Sequence, residues 1–376
     1  MAKAYIVCGG TGGHLAPGIA LAQRWRARGH SCRLVVSNKD VDSRLAKHYP
    51  DFDFLRAPGR PFSWNPLRLT RCLWAYTRAF VIAATLLKRD RPDVVISFGG
   101  FLGLPWALMA KMWEIPLVLH EANRVPGKAT RMLSAFACRV YLPAGVRHPR
   151  VPNHLVRPLG LPLREEVQHI KKAEVRERWG IPIGVKLVVV LGGSQGATSL
   201  NDWVEEHRHT LINEGIWVIC VTGPNKGEAR TADYDSPEGF KVRFQWIPFT
   251  DKMAELLSVA DIAITRAGAG TLAELVRCLT PSILIPYPHA ADNHQAANAK
   301  YLEQRGGGIV VPQNKLDTLL TEALDLVFND WLLGRMRENL RLLASDDAGL
   351  TMVQDIEFIL SARQVEQATA STGSAT

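Results

Sequence analysis

The sequence predicts an α/β protein with two domains, each built on a parallel β-sheet. The segment Lys3–Gly13 (KAYIVCGGTGG) is echoed by Lys186–Gly196 (KLVVVLGGSQG), and in both a short apolar run meets a glycine turn before a helical pattern. Such alternation is typical of parallel sheets covered by helices. At roughly 150 residues per domain, the 376 residues suffice for two domains.

Each half continues with further strand-turn-helix patterns. In the first half, strands are predicted in 93–100 and at 117–119, and in the second half in 261–270 and at 282–286. Residues 151–164 contain three prolines and no periodicity, which predicts a linker with a cleft beside it.

The domain boundaries follow from these patterns. We expect an N-terminal domain at 1–160, a C-terminal domain at 161–345, and a C-terminal helix with a tail at 346–376. The last residues, 364–376, are rich in Ala, Ser, Thr and Gly, which predicts disorder there.

Composition and charge limit the class of protein. Hydrophobic residues make up 47% and charged residues 22%, as in an ordinary folded protein. The net charge of +9 indicates an anionic partner and leaves nucleic acid, phospholipid and phosphorylated metabolites open. The six cysteines form no Cys-x-x-Cys pair, which indicates reduced thiols rather than a zinc site or a disulfide framework.

The apolar runs are too short to form the core of a signal peptide or a membrane-spanning helix. About five apolar residues follow Lys3, fewer than the 7 to 15 of a signal-peptide core. The longest apolar runs, 79–87 and 96–110, are shorter than the ~20 residues of a spanning helix. We therefore expect a cytoplasmic protein without a transmembrane segment.

The glycine turns predict contact with anions. Glycine lets the backbone approach a ligand closely, and the N–H groups that open the next helix carry a partial charge of about +0.5 that attracts phosphate. The alternative is that the turns only connect strand to helix. A nicotinamide dinucleotide is less favoured, because 9–14 is not the usual Gly-x-Gly-x-x-Gly and 37–40 offers only a poor ribose-binding acid.

His14 ends the first glycine turn, where a helix is expected to begin. A helix N-terminus disfavours the imidazolium, so the ring tends to stay neutral and able to accept a proton. Position alone leaves two roles open, a general base and a cap of the turn.

Six motifs in order give the chain a family resemblance. The motifs are Gly9–His14 (GGTGGH), Phe98–Phe101 (FGGF), His120–Asn123 (HEAN), Gly192–Ala197 (GGSQGA), Arg266–Glu274 (RAGAGTLAE) and Asp292–Gln295 (DNHQ). With these motifs the chain resembles the MurG-type N-acetylglucosaminyltransferases of bacterial peptidoglycan synthesis over roughly residues 3 to 345.

The resemblance implies an architecture and a reaction. The family has two Rossmann-like domains facing across a cleft, the GT-B glycosyltransferase architecture. It transfers N-acetylglucosamine from UDP-N-acetylglucosamine to the 4-hydroxyl of the muramoyl sugar of undecaprenyl-linked lipid I, which makes lipid II for the cell wall. The anomeric centre is inverted, so one displacement suffices and no covalent intermediate is needed.

The resemblance also implies roles for individual residues. His14 would be the catalytic base, and Asn123 would contact donor sugar or acceptor. Arg164 would meet the diphosphate, Thr250 would read uracil through its backbone, and Glu274 would accept from the ribose hydroxyls. The full donor set is Thr11, Gly12, Gly13, Asn123, Arg164, Gly193, Ser194, Gln195, Gly196, Thr250, Ala269, Gly270, Thr271, Leu272, Ala273, Glu274 and Gln295.

The sequence departs from the family pattern at five positions. Ala122, Leu161, Leu163 and Gly270 replace Gln, Asn, Val and Leu, and Phe101 stands where Tyr is usual. The changes bear on acceptor contacts and on uridine packing. No metal and no cofactor are expected, because the short Asp-x-Asp matches follow no buried strand.

The segment 62–89 predicts a membrane-facing helix, because it holds five Arg or Lys residues and no acid among aromatic residues. One stripe (Leu69, Leu73, Tyr76, Phe80, Leu87) is expected to face the core. A second stripe (Leu67, Arg71, Trp74, Arg78) would meet anionic lipid, with a solvated helix face as the alternative. We therefore expect peripheral association with the cytoplasmic face of the inner membrane, and no nucleic-acid partner.

Two other functions remain open at this point. A UDP-N-acetylglucosamine 2-epimerase shares the two-domain fold, and would carry acidic catalytic residues and no membrane stripe. A UDP-sugar-binding membrane adaptor without catalysis would bind the donor but release no UDP. His14 favours the transferase over the adaptor.

Overall fold

A computed structural model describes residues 1–9, 12–38, 45–59, 66–344 and 347–373, with the side chains of 66–69 and 370–373 left out. Contacts divide the chain into unit 1, Met1–Arg164 with Asp346–Thr376, and unit 2, Glu165–Ser345. The last helix thus belongs with the first half of the sequence. The boundary expected at 160 stays a prediction.

Unit 1 is a seven-stranded parallel sheet with the order β3-β2-β1-β4-β5-β6-β7. Its strands are β1 Lys3–Val7, β2 Ser31–Val36, β3 Asp53–Arg56, β4 Val94–Ser97, β5 Leu117–His120, β6 Arg139–Leu142 and β7 Val156–Pro158. Its helices are α1 Gly12–Ala27, α2 Pro66–Asp90, α3 Gly103–Met112, α4 Lys128–Leu133 and, at the chain end, α13 Ala348–Gly373.

Unit 2 holds a second seven-stranded sheet, in the order β10-β11-β9-β8-β12-β13-β14, in which only the β10–β11 pair is antiparallel. Its strands are β8 Lys186–Leu191, β9 Ile216–Val221, β10 Arg230–Asp235, β11 Lys241–Ile247, β12 Ile262–Thr265, β13 Ser282–Leu284 and β14 Gly308–Val310. Its helices are α5 Lys172–Trp179, α6 Thr198–Glu206, α7 Arg208–Asn213, α8 Met253–Val259, α9 Ala269–Cys278, α10 His294–Gln304, α11 Leu319–Val327 and α12 Asp330–Leu343.

The strand period of two residues places apolar side chains on both faces of the unit 1 sheet. Tyr5 and Val7 of β1 belong to one core, together with Trp106 of α3. Ala4 and Ile6 belong to the core on the other face. Both faces are therefore covered, as expected for a parallel sheet.

The C-terminal helix α13 completes the second of these cores. Met352, Val353 and Ile356 are fully buried there, and Asp355 accepts a hydrogen bond of 2.8 Å from the Tyr141 hydroxyl. The helix continues to Gly373, whereas the sequence predicts disorder from residue 364. Ala, Gln and Glu in this segment favour helix, which explains the difference.

Candidate functional site

The first candidate site lies at the carboxyl edge of the unit 1 sheet. Strands β1, β4 and β5 are neighbours and parallel, so the segments that follow Val7, Ser97 and His120 lie at the same edge. The chain passes from β1 to β2 on one side and returns to β4 on the other, which makes this edge a switch point where α/β sheets bind ligands.

His14 is the third residue of α1 and is half-buried. Its ring lies against the backbone of Gly100, because a Cβ built on Gly100 would be 3.1 Å from Nδ1 and 3.2 Å from Cε1 of His14. Gly100 also has φ +75°, a region that favours glycine. The structure therefore brings together two of the sequence motifs, GGTGGH and FGGF.

Glu121 organises the loop after β5. Its side chain is buried, Oε1 accepts from the backbone N (2.9 Å) and Nδ2 (3.1 Å) of Asn123, and Oε2 accepts from Gly127 N and Thr130 Oγ1, each at 2.8 Å. The two oxygens of a carboxylate have enough lone pairs to accept all four bonds. Glu121 thus fixes Asn123, a role that the sequence analysis did not assign to it.

His120 is buried beside this loop, and its Nε2 is 3.0 Å from the Gly160 carbonyl oxygen. Burial lowers the pKa of His120, and the bond to Gly160 opposes that shift. Among the residues that the structure describes, its Nδ1 has no hydrogen-bond partner. A neutral ring can donate from Nε2 to the Gly160 carbonyl oxygen, and its Nδ1 is then an unpaired acceptor.

The second candidate site lies at the carboxyl edge of the unit 2 sheet. The Gly192–Gly196 turn connects β8 to α6, and Gly196 has φ +68°. A Cβ on Gly196 would overlap the Thr222 carbonyl oxygen, and one on Gly223 would overlap the Gly196 backbone. The turn is thus packed against a second glycine loop, and its Ser194 and Gln195 are exposed.

This second loop is a feature that the sequence analysis missed. It follows the buried strand β9 and reads Gly223-Pro-Asn-Lys-Gly227. Lys226 is exposed, and its Nζ donates to the Gly196 carbonyl oxygen at 3.2 Å. Two glycines, Gly223 and Gly227, closely follow an apolar run, and this pattern was the signal that could have identified the loop.

The other predicted donor residues of unit 2 lie on two helices and one loop. Ala269, Gly270 and Thr271 form the first turn of α9, with Ala273 and Glu274 following, all half-buried, whereas the Leu272 side chain is buried. Gln295 is in the first turn of α10, where Oε1 accepts from Tyr287 N at 2.9 Å. Thr250 lies between β11 and α8, and its Oγ1 accepts from Lys252 N at 3.0 Å.

Arg164 and the first glycine turn belong to unit 1. Arg164 is the last residue of the first segment of unit 1, and its Nη1 donates to the Tyr49 hydroxyl at 3.1 Å. Gly12 and Gly13 open α1, and Gly13 is exposed, whereas Thr11 lies outside the described residues. The ligand roles of these residues stay predictions.

Helix α2 carries an exposed aromatic and basic surface. Trp74 is 64% exposed, and the Arg78 guanidinium lies 4.7 Å from its ring centroid, with Arg71 exposed nearby on the helix. Leu73 is 58% exposed, so the expectation that it faces the core is wrong. The side chain of Leu67 lies outside the described residues.

The buried face of α2 is formed by small residues together with Leu87. These are Cys72, Ala75, Ala79, Ala83 and Leu87. Small side chains let α2 approach its neighbours closely, which explains why the larger Leu73 is left outside.

The structure shows no metal centre and no spanning helix where it describes the chain. Within the described ranges, no group of three His, Cys, Asp or Glu side chains is placed to hold a metal ion. The helices in the same ranges are too short or too polar to cross a bilayer.

Comparison with known proteins defines the class first. Residues 5–142 match the glycosyltransferase family 28 N-terminal domain, and residues 187–346 match the glycosyltransferase family 28 C-terminal domain. The two matches together cover more than half of the chain and fall one in each unit. They define the class as glycosyltransferases of family 28.

Individual relatives identify the family to which the chain belongs within this class of glycosyltransferases. The UDP-N-acetylglucosamine–N-acetylmuramyl-(pentapeptide) pyrophosphoryl-undecaprenol N-acetylglucosamine transferase of Opitutus terrae is 48% identical over 95% of both chains. The transferase of the same name from Halothermothrix orenii is 33% identical over 93% of this chain and 96% of its own. The chain belongs to this family, the MurG-type transferases, which confirms the resemblance read from the six motifs.

Solved structures confirm the fold. The crystal structure of Acinetobacter baumannii MurG superposes with a TM-score of 0.71, at 24% identity, over 95% of this chain and 99% of that one. A putative UDP-N-acetylglucosamine 2-epimerase from Listeria monocytogenes gives a TM-score of 0.67 at 13% identity, over 95% of this chain and 96% of that one. The prediction of two parallel-sheet α/β domains is confirmed, and the epimerase shares the fold alone.

Proposed function

We propose that this protein is an inverting glycosyltransferase that moves N-acetylglucosamine from UDP-N-acetylglucosamine to the 4-hydroxyl of the muramoyl sugar of lipid I, forming lipid II for the cell wall. The observation that carries this proposal is the 48% identity, over 95% of both chains, with the Opitutus terrae transferase of that name. The family 28 domains, one in each unit, support a UDP-sugar-dependent enzyme.

In this proposal unit 1 supplies the base and the acceptor contacts. His14 takes the proton from the acceptor hydroxyl as that oxygen attacks the anomeric carbon. A positioned base contributes about 10² to 10⁴ in rate. The packing of the His14 ring on Gly100 limits its movement, and Glu121 holds the amide of Asn123, so both groups are preorganised.

Unit 2 supplies the donor contacts. The Gly192–Gly196 turn and the first turn of α9 present backbone N–H groups, and neither α6 nor α9 has an acidic residue in its first turn. Such termini stabilise the charge that develops on UDP as it leaves. Glu274 accepts from the ribose hydroxyls, and Gln295 binds the sugar hydroxyls. We propose that Arg164 and these helix termini suffice without a metal.

We also propose that α2 holds the protein at the cytoplasmic face of the inner membrane. Arg71, Trp74 and Arg78 lie exposed on one helix, a mixture that favours an anionic bilayer at ~1 kcal/mol per cation. Reversing the charge of Arg71 and Arg78 together should weaken binding to phosphatidylglycerol vesicles. The reversal of Arg335 and Arg341 on α12 is the control. Unchanged vesicle binding would contradict this part of the proposal.

Release of UDP with a lipid I analogue tests the reaction. The parent should release UDP only when both substrates are present, and His14→Ala should abolish turnover while donor affinity is largely kept. Glu274→Ala should instead weaken donor binding. The exposed residues His154 and Glu238 provide matched controls, because His154→Ala and Glu238→Ala should leave both quantities unchanged.

Analysis of the nucleotide sugar and of donor binding in the same incubations separates the alternatives. Conversion of UDP-N-acetylglucosamine to its 2-epimer without acceptor would support the epimerase, and donor binding without UDP release would support the adaptor. The names of the closely matching relatives favour the transferase over both.

A further inference from the structure

Arg266 is a buried cation at the carboxyl edge of the unit 2 sheet. It directly follows β12, is 7% exposed, and its backbone N lies 3.4 Å from the carbonyl oxygen of Leu191, the last residue of β8. Strands β8 and β12 are neighbours, and the chain leaves β8 towards β9 on the opposite side. Arg266 therefore lies at the switch point of this sheet.

The polar partners of the Arg266 guanidinium are neutral. Its Nη2 donates to Ser199 Oγ at 2.9 Å, and its Nη1 donates to the Ile285 carbonyl oxygen at 3.2 Å. The guanidinium carbon lies 5.6 Å from the centroid of the Tyr287 ring. Across the described part of the chain, the guanidinium forms no ion pair with a carboxylate.

A buried charge without a counter-charge is costly, and proteins usually pair it. Burial lowers the pKa of Arg266, and the nearby Tyr287 opposes that shift. Arginine nevertheless stays protonated in proteins. Since the first turns of α6 and α9 also lack acids, the positive charge at this edge is not balanced by those turns.

Arg266 also connects the two segments that flank the edge. Ser199 is the second residue of α6, directly after the Gly192–Gly196 turn. On the other side, Tyr287 donates its backbone N–H to Gln295 Oε1. One guanidinium thus contacts the start of α6 and the loop that holds Gln295.

We propose that Arg266 is a positioning residue for the donor: it sets the α6 first turn and the Tyr287 loop in place, and its charge selects ligands that carry a diphosphate. This inference rests on the proposed function, because it assumes that unit 2 binds the UDP-sugar. The guanidinium acts through Ser199, through Tyr287 and through its electrostatic field, without touching the reacting atoms.

The test compares the binding of UDP and of uridine by calorimetry. The measured quantity is the affinity for UDP divided by the affinity for uridine. A general loss of packing in unit 2 would weaken both ligands alike, whereas loss of the charge or of the positioned α6 turn would weaken mainly UDP. We expect Arg266→Gln to weaken UDP binding about tenfold or more while uridine binding changes less than about threefold. Arg266→Lys keeps the positive charge but loses the planar guanidinium with its several N–H donors. Its UDP-to-uridine affinity ratio should therefore lie between those of the parent and Arg266→Gln.

A matched control exists directly after α10, at Arg305. The Arg305 guanidinium lies 5.5 Å from the Tyr301 ring centroid, much as Arg266 lies over Tyr287, but Arg305 is exposed. Arg305→Gln should leave the ratio unchanged. Raising the salt concentration should reduce the ratio more in the parent than in Arg266→Gln, because screening weakens only the charge-dependent part.

The outcomes are separable. If Arg266→Gln and Arg266→Lys both keep the parent ratio, or if Arg266→Lys loses UDP and uridine binding equally, this inference is overturned while the proposed function stands. If Arg266→Gln does not fold, the test rests on Arg266→Lys. Its UDP-to-uridine affinity ratio, and the dependence of that ratio on salt, are then compared with those of the parent. A parent protein that binds neither UDP nor UDP-N-acetylglucosamine would overturn the proposed function and this inference with it.

Discussion

At the scale of single residues, the contact between His14 and Gly100 has consequences for activity. Gly100 has φ +75°, and Nδ1 of the His14 ring lies 3.1 Å from the position that a Cβ on residue 100 would take. A side chain there must therefore displace the imidazole as well as strain the backbone.

We predict that Gly100→Ala reduces kcat roughly 10- to 100-fold, because small displacements of a reacting group have effects of this size. Gly29→Ala is the control: Gly29 has φ +78°, but nothing lies within 4 Å of its Cβ position. It should lose stability by about 1 to 2 kcal/mol and keep its kcat. Steady-state kinetics with the lipid I analogue measures the difference, and equal kcat values for the two variants would contradict the prediction.

A second prediction concerns His120 and acid stability. Because burial lowers the pKa of His120 in the folded protein, the unfolded chain binds a proton that the folded chain does not. The stabilisation that results is fully present above the pKa of histidine in the unfolded chain, about 6.5. It is lost as the pH falls below that value, by at most about 1.4 kcal/mol per pH unit.

His120→Gln keeps an N–H donor for Gly160 and removes the titrating ring. We expect the free energy of unfolding to fall less steeply between pH 6.5 and pH 5 in this variant than in the parent. Urea unfolding at several pH values measures both slopes. Parallel slopes would show that His120 does not titrate in this range.

At the scale of secondary-structure elements, the strands and glycine turns could be predicted better than the helix faces. The runs that precede Gly9 and Gly192 are continuous and apolar, so their burial in a parallel sheet followed from the sequence. The inner face of α2 did not, because hydrophobicity favours Leu73 whereas close helix packing selected Ala75 and Ala79. Distant contacts also lie beyond a sequence pattern, as with Gly196 against Gly223.

The packing of the two glycine loops gives a prediction at this scale. Gly196→Ala should lower the melting temperature of unit 2 well beyond the effect of Gly193→Ala, since both residues have positive φ but only a Cβ at 196 overlaps Thr222. Gly193→Ala should cost about 1 to 2 kcal/mol from backbone strain alone. Calorimetry of the two variants tests this, and indistinguishable melting temperatures would contradict it.

At the scale of the whole molecule, unit 1 depends on the end of the chain. Helix α13 follows all of unit 2 in sequence, yet Ile356 is fully buried in the unit 1 core, and the Arg28 guanidinium donates two 2.9 Å hydrogen bonds to the Glu357 carboxylate. The candidate base and the chain terminus therefore belong to the same folded body. The sequence predicted a helix in this segment and disorder only from residue 364, but no pattern in it indicated which unit the helix packs against.

We predict that Ile356→Ala destabilises unit 1 by about 2 to 5 kcal/mol, the range for a large aliphatic residue cut back in a core. Phe358→Ala, two residues away and 67% exposed, should change the stability by less than about 0.5 kcal/mol. Calorimetry reports the melting of each unit, and UDP binding reports unit 2 separately. Since Ile356 is buried in a core of unit 1, UDP affinity should be retained at temperatures where unit 1 begins to melt. Loss of UDP binding in step with that melting would instead mean that the two units unfold together.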